Sequence, residues 1–382
     1  MTKSSSSPSI LWTQVWGLAA IQGAITLMWV IYNLYLVELL TTLGFPRPLA
    51  TGLLVIENAL AMVMEPLMGS FSDQLQHRVG TRFPLISLGV ILTAGCFLAI
   101  PTGLLWGQGL LLRWLVPLLM VAWALAMTVF RSPAMSLLGR YAFNTQLPQA
   151  ASILTLVGAI AGAAGPLANS FILGLGPVVA FVAGSMVLLL AALALGRFHP
   201  NATVEPEKPD SEAPLPSAPP INFSNLGLIF GAGVGVALGF RLIMTTFPTV
   251  LKQNVTAVAP ALVMGLVFIS LALTAIPAGR WATRLGNRRA MTGGLAILVL
   301  LSGAINGVSN PVLGIGVALA LGGGLSLVLN GTLPFALALV PPEKAGLGTG
   351  LYFSGGGLAT SLFATLLKGD SLAPGLKLLL AA

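Results

Sequence analysis

The chain is a succession of long apolar runs separated by short polar segments. A transmembrane α-helix needs about 20 mostly apolar residues, and only 7% of this chain is charged, against about 25% in soluble domains. Runs of suitable length lie at about Leu11–Leu40, Pro48–Phe71, Phe83–Ile100, Leu110–Phe130, Ala150–Leu175, Pro177–Leu195, Leu226–Leu251, Ala257–Trp281, Ala290–Val308, Pro311–Leu333 and Leu347–Leu367. The pattern predicts an all-α membrane protein that crosses the bilayer many times.

One polar stretch, from Arg197 to Asn225, is rich in proline and acidic residues. Such a composition cannot bury enough apolar surface to fold and predicts a flexible tether. We therefore expect a six-helix half over residues 1–200, a linker over 201–224 and a second half over 225–382. The last apolar piece, Ser371–Ala382, would span roughly 18 Å as a helix. The twelfth helix is thus expected to be incomplete, either because the natural chain continues or because a short tilted helix ends in a wet cavity.

The lysines and arginines favour one orientation in the membrane. On one side of the predicted bundle lie Lys3, Arg78, Arg82, Arg131, Arg140, Arg197, Lys208, Arg280, Arg284, Arg288, Arg289 and Lys344, and on the other lie Arg47, Arg113, Lys252 and Lys368. Since cytoplasmic loops carry the excess of basic residues, we expect the amino terminus and the linker to be cytoplasmic. The membrane expected is the plasma or inner membrane.

The same distribution excludes several classes of protein. The net charge of +8 is spread singly between apolar runs, which fits orientation in a bilayer rather than a nucleic-acid groove. The single cysteine, Cys96, and the two distant histidines, His77 and His199, offer neither a disulfide framework nor a metal cluster. We expect a monomer surrounded by lipid, with no cofactor other than a coupling ion.

A charged hairpin interrupts the apolar pattern between Glu65 and Pro84 and recurs in shorter form at Gly279–Arg289. In the first copy Gly69 permits close helix packing and Gly80 a tight turn. One copy in each half suggests a duplicated bundle.

The two halves, the cytoplasmic linker and this hairpin resemble the major facilitator superfamily, whose hairpin reads G-x-x-x-D-(R/K)-x-G-(R/K)-(R/K). Gly69 and Asp73 match it, whereas four extra residues precede Arg78-Val79-Gly80. That spacing, followed by Arg82 and Pro84, is similar to the branch of sucrose transporters and glycoside–pentoside–hexuronide:cation symporters. Glu65-Pro-Leu-Met-Gly69 is similar to the D-P-x-x-G of that branch, and Arg131–Gly139 resembles its loop after the fourth helix.

The resemblance implies a secondary transporter that moves a small polar solute, such as a sugar or glycoside, by symport with protons or a cation. In the branch the acid of the second helix helps to bind the coupling cation, which points to Glu65. The fourth predicted helix has no carboxylate, although cation-coupled members usually carry one there, so the choice between H⁺ and Na⁺ stays open.

Ionisable residues inside apolar runs are costly and mark functional positions. Glu57 and Glu65 fall on nearly the same face of the second predicted helix, about 12 Å apart along its axis. Either could carry the coupling ion or could instead be a packing carboxylate. Arg241, in the middle of the seventh helix, is expected to bind a polar or anionic solute or to pair with one of those carboxylates.

Polar and aromatic side chains supply further candidates for a solute cavity. They are Gln22, Trp29, Tyr32 and Asn33 on the first helix, with Asn330 and Tyr352 in the second half. Their types suit hydrogen bonding and stacking against a polar ligand. The alternative for the aromatic residues is the belt at the membrane surface.

The hairpin residues are interpreted as a gate. Asp73 is expected to lie against the positive amino end of the eleventh helix, near Leu347–Gly350. The gating set comprises Asp73, Arg78, Arg82, Gly69, Gly80, Arg284 and Arg288. The alternative is that these charges only set the topology.

Two other functions compete with transport. A non-transporting bundle on the same scaffold, for example a pigment-delivery or membrane-assembly factor, would explain an incomplete last helix. An intramembrane enzyme would need a paired acid and base, a Ser/His arrangement or a metal triad, and the apolar runs provide none of these.

Overall fold

The computed structural model describes residues 10–103, 110–198, 222–255 and 259–367. The helices of the amino-terminal part are α1 Trp12–Thr42, α2 Pro48–Val79, α3 Phe83–Thr102, α4 Leu110–Ser136, α5 Leu138–Tyr141, α6 Leu147–Leu167, α7 Asn169–Gly174 and α8 Pro177–Phe198. After the predicted linker come α9 Phe223–Asn254, α10 Pro260–Leu285, α11 Asn287–Ala304, α12 Pro311–Ala338 and α13 Ala345–Leu362. The described ranges contain no strand, and the prediction of an all-α membrane protein is confirmed.

Nine helices in the described ranges are long and apolar enough to cross a membrane. The shorter α11 and α13, with 18 residues each, correspond to the two remaining predicted spans. The predicted linker and the predicted fragment Ser371–Ala382 lie outside the described residues.

Local sequence explains where these helices begin and end. Proline occupies the first turn of α2, α3, α6, α10 and α12, where its missing N–H needs no partner. Gly80 ends α2 with φ 79° and Gly286 ends α10 with φ 92°, a region that favours glycine. These two turns close the first and second copies of the charged hairpin.

Several helix boundaries differ from the sequence prediction, those of α2 and α6 by the most. α2 continues beyond Phe71 to Val79, so Asp73 lies within the helix. α6 stops at Leu167, although the apolar run continues to Leu175, and the short α7 follows. The break falls just after Pro166, because proline removes a helical hydrogen bond and crowds the preceding turn.

Six helices form a closed ring around the centre of the bundle. Within the amino-terminal part α1 packs beside α6 and α2, and within the carboxy-terminal part α9 packs beside α13 and α10. Two long contacts, α2 with α13 and α6 with α10, join these groups. The ring therefore runs α1, α2, α13, α9, α10, α6, and it places α1 opposite α9.

The direction of the helices defines two ends of the ring. Asp73 on α2 contacts the start of α13, whereas Val55, nearer the start of α2, contacts Ser361 near the end of α13. The two helices are thus antiparallel, and we refer to the Asp73 end and the Pro48 end of the bundle.

Candidate functional site

Glu57 lies in a buried aromatic setting within the amino-terminal part. The hydroxyl of Tyr32 on α1 donates a hydrogen bond to Oε1 of Glu57, while Oε2 has no partner in the described part of the chain. Trp123 of α4 packs on the Tyr32 ring with centroids 4.5 Å apart, and Trp29 packs on Trp123 at 4.8 Å. A fully charged carboxylate would be poorly compensated here, since a buried charge needs a partner and several hydrogen bonds.

A small cavity of about 20 Å³ adjoins Glu57. Its walls come from α1, α2 and α4 and consist of Trp29, Glu57, Asn58, Ala61, Ala124, Met127, Thr128 and Arg131. This volume is enough for about one water molecule. The cavity thus adjoins both Glu57 and Arg131.

Glu65, two turns further along α2, has the opposite surroundings. Oε1 forms a salt bridge of 2.5 Å with an Nη atom of Arg131 and accepts a second hydrogen bond of 2.7 Å from its Nε. Oε2 accepts a hydrogen bond from Ser132. Both oxygens of this fully buried carboxylate are therefore occupied, in the geometry expected of a charged group.

Arg131 also reaches the carboxy-terminal part. Its guanidinium carbon lies 4.5 Å from the ring centroid of Phe353 on α13, within range of a cation–π contact. One turn before Phe353, Thr349 donates a hydrogen bond of 3.1 Å to the carbonyl of Ser132. Arg131 thus connects Glu65, the cavity beside Glu57 and α13 of the carboxy-terminal part.

Asp73 lies at the other end of the contact between α2 and α13. Its two carboxylate oxygens accept hydrogen bonds of 2.8 Å from the backbone N–H groups of Gly346 and Leu347 at the start of α13. Arg82 lies 2.5 Å from Oδ1 and also donates to Ser136 of α4. Burial lowers the pKa of the Arg82 guanidinium, and Asp73 opposes that shift. The carboxylate sits where the helix dipole favours a negative charge.

Between these two ends α2 and α13 approach each other backbone to backbone. A Cβ on Gly69 would collide with the carbonyl of Gly346, and one on Gly350 with the carbonyl of Glu65. Ser354 donates to the carbonyl of Met62, and Ser361 donates to that of Val55 at 3.3 Å. We call this contact the α2–α13 seam. Small residues permit such close helix packing in membranes.

The seam opens into a wider space at the Pro48 end. An open surface groove of about 770 Å³ there is lined by Arg47, Pro48, Thr51, Gly52, Val55, Ile56, Ala364 and Thr365. On the opposed helices, Asn33 of α1 and Thr245 and Thr249 of α9 are exposed towards the same end. Contacts across the ring therefore extend to the Asp73 end, and exposed polar side chains gather at the Pro48 end.

Arg241 does not pair with Glu57 or Glu65, which corrects that part of the sequence interpretation. Its Nε donates a hydrogen bond of 3.1 Å to Thr360 of α13, and no carboxylate among the described residues forms an ion pair with it. Arg131 takes the place beside Glu65 instead, since α4 continues through Ser136 and carries Arg131 back into the bundle.

The remaining predicted site residues occupy different surroundings. Gln22 and Trp29 are half-buried, and Tyr32 is buried against Glu57. Asn330 is buried and donates to the carbonyl of Ala275 at 2.8 Å, which ties α12 to α10. Tyr352 packs where Gly233 of α9 approaches its carbonyl. Arg78, Arg284 and Arg288 are exposed, and no salt bridge in the described ranges involves them.

Sequence reasoning missed Arg131, Ser132, Ser136 and Trp123 as parts of the site. Arg131 was interpreted as a loop residue because the apolar run ends at Phe130 and Pro133 follows. The signal that could have identified it is a lone arginine directly after an apolar run in which no carboxylate offsets it.

Comparisons with known proteins agree with this architecture. The sequence profile of the Major Facilitator Superfamily matches residues 18–365. No curated protein sequence matches the chain. Three solved structures share the fold. The human organic anion transporter MFSD10 (TETRAN) is 16% identical, with a TM-score of 0.67, over 97% of this chain and 99% of that chain.

A bacterial homologue of the iron transporter ferroportin, in an outward-facing state, is 16% identical, with a TM-score of 0.68, over 97% of this chain and 95% of that one. The transporter FucP, in the outward conformation, is 12% identical, with a TM-score of 0.69, over 97% and 96%. At these identities the likeness establishes the fold alone.

Proposed function

Because the chain belongs to the major facilitator superfamily of membrane transporters, we propose that it is a secondary transporter that moves a small polar solute by alternating access and is coupled to protons. The solute binds near the centre of the ring, between α1 and α9. A sugar or glycoside is the first class to test. The single observation that carries the coupling is the unpaired oxygen of the buried Glu57.

The surroundings of Glu57 favour a proton over Na⁺. A proton needs one lone pair and no further ligands, whereas a metal cation needs several oxygen ligands around it. Arg131 forms part of the wall of the adjoining cavity, and like charges repel strongly where the dielectric constant is low. Glu57 therefore carries the proton, and Glu65 stays charged beside Arg131.

The contacts at the two ends support alternating access. When Asp73 holds the start of α13, the Asp73 end is closed and the solute exchanges with the Pro48 end. Release to the other side requires the Asp73 contacts to break and the halves to rock about the central site. The positive side of the bundle then faces the cytoplasm.

The test uses proteoliposomes that contain the pH indicator pyranine. Addition of glucose, sucrose, or glucuronate as a test solute should acidify the lumen when that compound enters with protons, and replacing Na⁺ by K⁺ should leave the rate unchanged. Glu57→Gln should abolish solute-dependent acidification while counterflow of the same solute persists, since exchange needs no net proton movement. Glu343→Gln, at an exposed carboxylate, serves as the matched control.

Four results would overturn the proposal. If Glu57→Gln supports acidification at the parent rate, Glu57 does not couple transport to protons. If acidification is lost in Glu65→Gln alone, Glu65 carries the coupling instead. A strict requirement for Na⁺ would replace the proton. A pigment that co-purifies with the protein, without flux of any test solute, would favour the non-transporting assembly factor.

A further inference from the structure

Arg241 lies in the middle of the membrane-spanning helix α9, and among the described residues neither a carboxylate nor a backbone carbonyl is its partner. Arg131 has Glu65, and Arg113 near the Pro48 end donates to the carbonyl of Gly44 at 2.7 Å and stacks on Phe45. Arg241 has one bond, from Nε to Thr360. A charge in a membrane span is retained where it faces water, a partner or a ligand.

The bond to Thr360 leaves one edge of the guanidinium available. Nε is occupied, whereas neither Nη1 nor Nη2 has a hydrogen-bond acceptor in the described ranges, and the side chain is exposed. Two parallel N–H groups in a rigid plane match the two oxygens of a carboxylate. Thr360 therefore orients the guanidinium and leaves the edge formed by Nη1 and Nη2 free.

The face of α9 that carries Arg241 has the composition of a cavity wall. Thr245 and Thr249 follow at four-residue intervals and are also exposed, so the three share one face of the helix. Between Leu262 and Leu273 of the neighbouring α10, the exposed residues are instead large and apolar: Leu262, Ile269 and Leu273. A face of arginine and threonine belongs against water or a polar ligand rather than against lipid.

The depth of Arg241 relates it to the proton site. Gly357 of α13 contacts the backbone of Asn58, the residue after Glu57, and Thr360 lies three residues further along α13. Three residues of helix span about 4.5 Å. Arg241 and Glu57 thus lie at nearly the same level, on either side of α13.

We propose, on the basis of the transport function above, that the solute carries a single carboxylate, which Arg241 binds through Nη1 and Nη2 with Thr245 beside it. One guanidinium neutralises one negative charge. A phosphate ester, with a charge of about −1.5 to −2 at neutral pH, would leave an excess of negative charge in the membrane. A cationic solute would be repelled by the guanidinium.

The test measures ligand-induced thermal stabilisation of the purified full chain in detergent, so it does not depend on transport. Four probes have the same sugar ring and differ in charge: glucuronate, glucose, glucosamine and glucose 6-phosphate. Lactate and benzoate are carboxylates without a sugar ring. At least one carboxylate should raise the Tm in a saturable manner, and the neutral, cationic and phosphorylated probes should not.

Substitutions then assign the effect to Arg241. Arg241→Gln should weaken the apparent affinity for the stabilising carboxylate by about tenfold or more, which corresponds to about 1.4 kcal/mol. Arg241→Lys should fall in between, because lysine keeps the charge but loses the fork. Arg289→Gln, which removes an exposed arginine at the start of α11, should bind as the parent does.

The inference is overturned if no carboxylate stabilises the protein, if glucose 6-phosphate or a neutral probe does so more strongly, or if Arg241→Gln binds with unchanged affinity. These results are distinct from failure of the proposed function. A carboxylate that binds through Arg241 but is not transported would retain the site and reject transport. Proton-coupled flux of a neutral sugar that is insensitive to Arg241→Gln would retain transport and reject the site.

Discussion

Glu57 and Glu65 are two carboxylates on one helix that are compensated in opposite ways. Glu65 has a guanidinium and a hydroxyl on its oxygens, whereas Glu57 has one tyrosine hydroxyl. A buried charge with a full set of partners is stable as an ion, and one without them favours the neutral form. The proposed division of roles, with Glu65 as charge anchor and Glu57 as proton carrier, rests on this difference.

The Glu65–Arg131 pair should be visible in stability. Glu65→Gln leaves the Arg131 guanidinium without its carboxylate, and breaking a buried pair costs about 3 kcal/mol or more. Arg131→Gln should cost a similar amount, and the double variant Glu65→Gln/Arg131→Gln should lose less than the sum. Thermal unfolding in detergent measures this coupling, with Glu343→Gln as a surface control. Strictly additive losses would contradict a direct pair.

The sequence located both carboxylates but not their partners. Period and spacing place Glu57 and Glu65 on one helix face, because these depend only on the geometry of α2 itself. Tyr32, Trp123 and Arg131 come from other helices, and their contacts depend on how α1 and α4 rotate against α2. Periodicity within one helix carries no information on that rotation.

At the scale of elements, the α2–α13 seam joins the two parts of the chain. It has the Asp73 contacts at one end, backbone approaches at Gly69 and Gly350 along its length, and the hydroxyl bonds of Ser354 and Ser361 beyond them. Asp73 is expected near the start of the eleventh predicted helix, which is α13, and these bonds agree with that position. Its role as a gate stays a prediction.

That role can be tested by the accessibility of a buried position at the Asp73 end. Asp73→Asn keeps one acceptor oxygen but presents an N–H pair to the amides of α13 and removes the charge beside Arg82. We expect a population shift towards the state open at this end. In a Cys96→Ser background, a cysteine at the buried Thr349 should react with a maleimide several times faster. Glu343→Gln should leave the rate unchanged, and equal rates in the Asp73 variant would restrict its charge to a topological role.

The pattern of apolar runs fixes the class and approximate bounds of the helices, since both depend on local composition. It did not predict the break after Leu167 or the extension of α4 through Pro133. In both regions the effect of a proline on the helix depends on what surrounds it. The branch-specific resemblance of the hairpin, and with it the sugar substrate, stays a prediction.

For the whole molecule, the ring of six helices separates the exposed basic residues by side. Arg78, Arg284, Arg288 and Arg289 lie near the Asp73 end, whereas Lys252 follows α9 at the Pro48 end. The positive-inside rule therefore predicts that the Asp73 end is cytoplasmic. Orientation decides whether the Pro48 end, where the proposed transport cycle exchanges solute in this conformation, faces the outside or the cytoplasm.

Single cysteines at Arg289 and Lys252, each in the Cys96→Ser background, can establish the orientation. Both positions are exposed in the structure. In intact cells a membrane-impermeant maleimide should label the Lys252 position alone, and permeabilisation should add the Arg289 position. The reverse pattern would invert the orientation and exchange the two faces of the proposed transport cycle.

The small groups of the α2–α13 seam also bear on how fast the protein can change conformation. Where large side chains interlock, two helices separate only after several rotamers have changed, and each change adds to the activation barrier. Glycine and serine have no bulky group to withdraw, and their hydrogen bonds to backbone carbonyls can break one after another. We therefore expect α2 and α13 to separate without side-chain rearrangement along the seam. The activation barrier to that separation is then set mainly by the charged contacts of Asp73 at its end.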